Sequence, residues 1–361
     1  MSNTAPKWSI RAYGDGDEEG IFELWKAVYP ENPYDRQQWL RWWHWMYRAN
    51  PTGIGVICVA EHDGRIVGHA AEVPLMMKIG CENVLVGLGI DAMTHPEYRR
   101  QGMYLAVVKA RRTQGEARGI RATYAFPNKL SYPGQVKELS AFDIATMQKV
   151  VKPLNWRNAM KTQTKSSFLS TIGAAAGGLL DATFFRARKP PVLEGLTIAP
   201  VSRFDERIDE LWKRVSSQYQ VIVLRSKEYL NWRYAAVPDT DYLICLAEQA
   251  EAVAGYLVLS RKQVDQARIG IILDVFAESE EIAQCLVSEA VTRCRQEKLD
   301  LIYGARMEGT SLAKTFRRSG FLPVPFVKGM RVTGRSVSPS IAGQLQNPKN
   351  WFLQIGDSDE T

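Results

Sequence analysis

Residues 87–112 read GLGIDAMTHPEYRRQGMYLAVVKARR. A largely apolar run ending near Thr94 predicts a strand, Pro96 turns the chain, and Arg99-Arg100-Gln101-Gly102-Met103-Tyr104 leads into a helix. The first turn of a helix carries backbone N–H groups without intrahelical partners and the positive end of the helix dipole. A glycine there lets an anion approach those amides closely. Seven basic side chains lie from Arg99 to Arg121, against one acidic residue, Glu116. Gly102 alone would be an ordinary loop glycine before an amphipathic helix. Strand, turn, RRQG and basic helix in that order predict a phosphate-bearing ligand.

The chain around this stretch repeats itself. IFELWK at 21–26 aligns with IDELWK at 208–213, an offset of 187 that also joins Trp45 to Trp232, Tyr47 to Tyr234, Pro51 to Pro238 and Gly68 to Gly255. The offset falls to 183, pairing Asp91 with Asp274 and Gln101 with Gln284, and then to 179, pairing Tyr124 with Tyr303 and Phe142 with Phe321. Shorter loops in a second copy produce such falling offsets. Each copy predicts a helix (about 17–28 and 205–216), an aromatic-rich helical piece (about 36–48 and 226–235) and two strands around a turn. A further strand, a long helix, another strand and a short helix follow. Asp63-Gly64 is the turn signal of the first copy. The predicted class is α/β (α+β): two tandem mixed-sheet domains with helices on both faces. The predicted boundaries are 8–150, a connector at 151–195, a second domain at 196–335 and a tail at 336–361.

Composition narrows the function classes. The chain has 361 residues, 45% hydrophobic and 24% charged, as in folded soluble proteins. Residues 151–195 carry seven basic and two acidic side chains, so they hold +5 of the net +7. The excess charge therefore sits in the connector, and no nucleic-acid partner is expected. Five scattered cysteines without a CxxC pair argue against a disulfide framework and against a metal site. With no apolar leader core in residues 1–20, the expected compartment is the cytoplasm. Residues 166–182 are nearly uncharged and rich in small residues, with basic residues on either side. A helix packing across the two halves is the expected reading; peripheral membrane contact through 161–189 is the alternative.

HPEYRRQGMY resembles the coenzyme A loop of the GNAT acetyltransferase superfamily, commonly Q/R-x-x-G-x-G/A. Arg99 and Gly102 fit, and Tyr104 departs from the last small residue. The tandem arrangement, the W-x-Y-x-x-x-P segment (Trp45 to Pro51) and THPEYR are similar to the Eis-type subgroup. AFPNKLSYPG at 125–134 resembles a phrase of related bacterial tandem proteins. No counterpart of the additional sterol-carrier-like domain of Eis enzymes is found. The resemblance implies acetyl-CoA as co-substrate and a small primary amine as acceptor. It further implies pantetheine pairing with Ala92-Met93-Thr94, and pyrophosphate on the amides of the segment Arg99, Arg100, Gln101, Gly102, Met103 and Tyr104. In the second copy Cys285 aligns with Gly102 and Ile282-Ala283 with Arg99-Arg100, after Glu280-Glu281. An acidic helix start repels phosphate, so the second copy is expected to be degenerate.

The resemblance also directs attention to acid–base candidates. Asp91, in phase with Gly89 and Met93, is a candidate base; a strand-end aspartate bonded to backbone is the alternative, and Asp274 in the degenerate copy favours it. Glu72 is expected to face an acceptor cleft or to be a solvated edge carboxylate. His69 and His95 titrate near neutrality, although His95 beside Pro96 suits a turn. Tyr132 is the candidate proton donor, four residues after Asn128, where the superfamily often spaces its tyrosine by seven and this chain has Gln135. Asn128 either bonds pantetheine or caps the helix that follows. Trp39, Trp42, Trp43 and Trp45 suit core packing, with a sugar-stacking platform as the sharper alternative. Asp357 and Asp359, in an ending that resembles tandem proteins associated with surface polysaccharides, either stay solvated or reach an acceptor cleft. Transfer of an acetyl group from acetyl-CoA to the primary amine of a small acceptor is the leading functional expectation, with an amino sugar of surface polysaccharide as one candidate acceptor. Transfer of a longer acyl chain and a non-catalytic acyl-CoA-sensing module are the alternatives, and the intact RRQG speaks against a tRNA-dependent transferase.

Overall fold

The computed structural model describes residues 7–155, 187–264, 267–324 and 329–359. It divides into two compact units. One comprises residues 1–144, 236–239 and 332–347, the other 145–235, 240–331 and 348–361. The expected boundaries at 150 and 335 are therefore displaced, because a terminal strand of each half is counted with the other unit. The connector expectation, including membrane contact at 161–189, falls largely on residues outside those described. No helix among the described residues is long and apolar enough to cross a membrane.

The first unit begins with β1 (Ser9–Ala12), α1 (Glu18–Val28) and α2 (Arg36–Tyr47). Asp35 starts α2 through a reciprocal capping box with Gln38. Trp39, Trp43 and Tyr47 follow at intervals of four and are buried on one face. β2 (Val56–His62) and β3 (Arg65–Ile79) form a hairpin whose turn, Asp63-Gly64, has positive φ at both positions. β4 (Glu82–Thr94) pairs antiparallel with β3, and α3 (Met103–Ala117) crosses to β5 (Ala122–Ala125), parallel to β4. α4 (Tyr132–Glu138) follows. Late in the chain, β14 (Met330–Ser336) pairs antiparallel with β5, and α9 (Pro339–Gln346) packs on β3. The unit's strand order is β1-β2-β3-β4-β5-β14.

Helices cover both faces of this sheet. Val67 is the extra residue of a bulge, since Glu61 opposes Ile66 while Ala60 opposes Gly68. The bulge turns Ile66 toward Gly20 of α1 and Gly68 toward Met103 of α3. Under α3 lies an apolar cluster of Cys58, Ala60, Val67, Ala70, Val107, Val108 and Leu139.

The second unit repeats the plan. β6 (Phe142–Pro153) enters it, followed by β7 (Thr197–Val201), α5 (Arg207–Val215), β8 (Val221–Val223) and α6 (Lys227–Leu230). β9 (Leu243–Gln249), β10 (Ala252–Val264) and β11 (Ala267–Ala277) form an antiparallel meander. α7 (Glu280–Gln296) crosses to β12 (Leu301–Arg306), parallel to β11, before α8 (Ser311–Arg318). The short β13 (Leu322–Pro323) pairs with β6, and the sheet runs β6-β12-β11-β10-β9-β7.

Candidate active site

The loop between β4 and α3 is built for close approach to backbone. His95 turns the chain: its imidazole accepts the N–H of Glu97 at the start of a 3-10 turn over Pro96–Tyr98. Burial, with Arg65 nearby, holds its pKa below the usual range. It is thus the turn residue the alternative reading expected. Arg100 (φ 63°) and Gly102 (φ 79°) both adopt left-handed backbone. At Gly102 this suits the residue, and the space around its Cα is open. Arg99, Arg100, Gln101 and Gly102 are exposed. Ala106 N–H is the first to return to the loop, donating to the Gly102 carbonyl at 3.1 Å. Among the described residues, no backbone acceptor meets the amides of Arg100 through Leu105.

Beside this loop the sheet opens. β4 and β5 pair from Val86–Ala122 to Gly89–Ala125 and no further. Ile90 to Thr94 therefore present an edge without a β5 partner, with Ala92 exposed and Met93 buried against His69.

Asp91 stands at the fork. Strict alternation would set it with Gly87 and Gly89, whose missing side chains leave room for Glu72 and Arg111 under α3. The register between β3 and β4 slips there instead, and Asp91 has φ 49°. Its carboxylate consequently lies on the opposite face, where Tyr47 donates a 2.5 Å hydrogen bond to Oδ2. Its carbonyl pairs with Nδ1 of buried His69 at 2.7 Å. Burial pushes the Asp91 pKa up, against the opposing pull of His69 and the Tyr47 hydrogen bond. Burial likewise holds the His69 pKa down, so the imidazole is neutral near pH 7. Tyr47 was missed by sequence reasoning as a site residue. The signal was present in the repeat, since offset 187 pairs Tyr47 with Tyr234 and His69 with Tyr256.

Glu72 corrects an expectation. It neither faces an acceptor cleft nor sits in solvent: it is fully buried beneath α3, accepts 2.8 Å from Thr123 Oγ1 and lies 3.8 Å from Arg111. The cause is parity, because residues 69 and 72 of one regular strand point to opposite faces. Glu72→Ala would leave the Arg111 cation uncompensated in the core. The expected loss is about 3–5 kcal/mol, or roughly 10 °C in Tm. A thermal scan matching wild type would show that the pair contributes nothing.

Tyr132 opens α4, and its hydroxyl donates to Asp143 at 2.7 Å. Gln135, at the spacing where a tyrosine was sought, accepts from Thr333 at 2.6 Å. Asn128 holds the turn before α4, whose N-cap is Ser131: its Oδ1 accepts the N–H groups of Leu130 (2.9 Å) and Ser131 (3.0 Å). Trp39, Trp43 and Trp45 are core residues. Trp42 is only half-buried, and its ring stands edge-on to Tyr47, 6.1 Å away. Among the described residues, no group of His, Cys, Asp and Glu side chains could hold a metal ion.

The second unit has lost the loop. The counterpart of Gly102 as helix cap is Ser279, not Cys285, which lies inside α7. Ten residues separate Asp91 from Gly102, but only four separate Asp274 from Ser279. Ser279 Oγ already accepts the Ile282 amide, and Glu280 and Glu281 open the helix. The bulge and its aspartate survive: Tyr234 and Tyr256 donate to Asp274 at 2.9 and 3.0 Å. Asp357 is neither solvated nor at an acceptor cleft, being buried in this unit on Arg225 at 2.8 Å.

Comparison with known proteins agrees with this geometry. Residues 9–135 match the model of an acetyltransferase (GNAT) domain. No curated protein matches the chain. A probable N-acyltransferase from Enterococcus faecalis superposes with a TM-score of 0.63 at 11% identity, over 91% of this chain and 73% of that one. N-myristoyltransferase of Saccharomyces cerevisiae, solved with bound myristoyl-CoA, gives 0.58 at 11% over 92% and 83%. Eis1 of Mycobacterium abscessus gives 0.56 at 16% over 91% and 74%. These similarities extend the likeness in fold across both units. With its matched domain, forked strand and amide-lined loop, the chain is an acyltransferase carrying a GNAT-family domain at residues 9–135.

Proposed function

We propose that the first unit binds acetyl-CoA and transfers its acetyl group to the primary amine of a small acceptor, an amino sugar being the preferred class. The observation that carries this reading is the unpaired edge at Ile90–Thr94 next to the amides of Arg100–Leu105. An extended amide-containing arm pairs with such an edge at Ala92, and a diphosphate suits the helix start. Arg99, Arg100 and Gln101 flank the diphosphate, and Met103 and Tyr104 supply further amides of the first turn. With its Oδ1 engaged in the turn before α4, Asn128 would contact the arm through its side-chain N–H groups. The half-buried Trp42 beside Tyr47 offers an aromatic face for a sugar ring.

In the proposed reaction the amine nitrogen attacks the thioester carbonyl carbon, the N–C bond forms and the C–S bond breaks. Asp91 accepts the proton released by the amine, a role its raised pKa favours. Tyr132 returns a proton to the departing thiolate. Tyr132→Phe is accordingly expected to lower kcat by about 10–100-fold without weakening acetyl-CoA binding. Unchanged kcat would remove the tyrosine from the mechanism. The reading as a whole is tested by following thiol release from acetyl-CoA with a panel of amines that includes amino sugars. Acetyl-CoA binding with no release against any amine overturns catalysis in favour of a sensing role.

A further inference from the structure

In the second unit, β11 and β12 part after Ile271, as β4 and β5 part after Gly89. This second fork is filled. The segment Trp351–Ser358 occupies it with all eight residues buried. Gln354 aims its side-chain amide at the strand: Oε1 accepts the Val275 N–H at 2.9 Å, and Nε2 donates to the Val275 carbonyl at 2.9 Å. Nε2 also donates to the Asp274 carboxylate. One amide group thus makes with Val275 the two-point contact that a neighbouring strand makes. By the duplication, Asp274 corresponds to Asp91 and Val275 to Ala92.

The segment is locked by charge as well as by packing. Asp357 pairs with Arg225, which is wholly buried and stands 3.6 Å from Asp274. Arg233 donates to the carbonyls of Gly356 (2.9 Å) and Ser358 (2.7 Å). Gly356 passes so close to the Tyr234 hydroxyl that any Cβ would collide with it. Phe352 packs on Tyr219 with ring centroids 4.5 Å apart. What remains of the cleft is a cavity of about 190 Å³ touching Val275, Ser279, Glu280 and Phe352, below the size of ordinary small-molecule sites.

We propose that Trp351–Ser358 is the built-in occupant of the second unit's pantetheine cleft, with the Gln354 amide in the place of a pantetheine amide, so that the chain takes one acyl-CoA. This rests on reading Ala92 as the pantetheine-pairing position. The occupancy removes a competing site and supplies the anion that Arg225 requires in the core.

Hydrogen exchange on the full chain, with and without saturating acetyl-CoA, tests it. In the wild type, residues 272–277 should be protected without ligand and unchanged by it, while 90–105 gain protection. Gln354→Ala should speed exchange of 272–277 by at least about tenfold and leave the gain at 90–105 intact. Three results overturn the proposal: fast exchange of 272–277 in the wild type, protection of 272–280 by acetyl-CoA, or a Gln354→Ala variant with unchanged 272–277. The first two need no variant. A missing gain at 90–105 overturns acetyl-CoA binding by the first unit instead, and the exchange of 272–277 still decides whether the cleft is filled.

Discussion

Gly102→Glu is expected to reduce acetyl-CoA affinity by at least about 100-fold, or about 2.7 kcal/mol, in a chain that still folds. Two effects add. The residue has φ 79°, and a side chain there carries about 1 kcal/mol of backbone strain. The new carboxylate also stands over the amides of the α3 start, where it repels a diphosphate and competes for its donors. Folding survives because no atom lies within 4 Å of the position a Cβ would take. Gly102→Ala separates the two effects: it carries the strain without the charge, and its loss should stay within about tenfold. Calorimetry with acetyl-CoA and circular dichroism on the same samples provide the check. Wild-type affinity in Gly102→Glu would remove the loop from the binding site.

Asp91→Asn should lower kcat by about 100- to 10,000-fold with acetyl-CoA affinity unchanged. The pH profile distinguishes a base from a merely structural aspartate. Burial raises the Asp91 pKa, so the wild-type rate falls on the acid side as pH drops through that raised value. The variant's residual rate should lack that limb. Stability moves the other way. A carboxyl whose folded pKa lies above its unfolded value favours folding when protonated, and this contribution is lost as pH rises through the folded pKa. An asparagine has no such loss, so at pH 7 the variant's Tm should equal or exceed the wild-type value. A kcat within about threefold of wild type, or an unchanged acid limb, would move the base elsewhere.

Much of the first unit was readable in advance because its signals are local. Asp63-Gly64 can only turn a hairpin tightly, and it does. Asp35 and Gln38 start a helix by bonding backbone within one turn. Gly102 sits at the left-handed residue before α3, where the RRQG pattern put it. The candidate side chains fared differently. Glu72 and Asp91 each follow an alternating strand, and alternation alone does not say which face meets α3 or where it breaks. A one-residue slip between β3 and β4 carries Asp91 to Tyr47, while regular alternation carries Glu72 to Arg111.

The amino-acid order by itself determined the duplication, which is a comparison of the sequence with itself, and also the order of strands and helices and the loop before α3, which depend on residues within a few positions of one another. Only the tertiary structure decided which face Asp91 serves and what fills the second copy's fork. Those depend on register and on partners far along the chain: Gln354 reaches Val275 across 79 positions, and no local periodicity encodes such a contact.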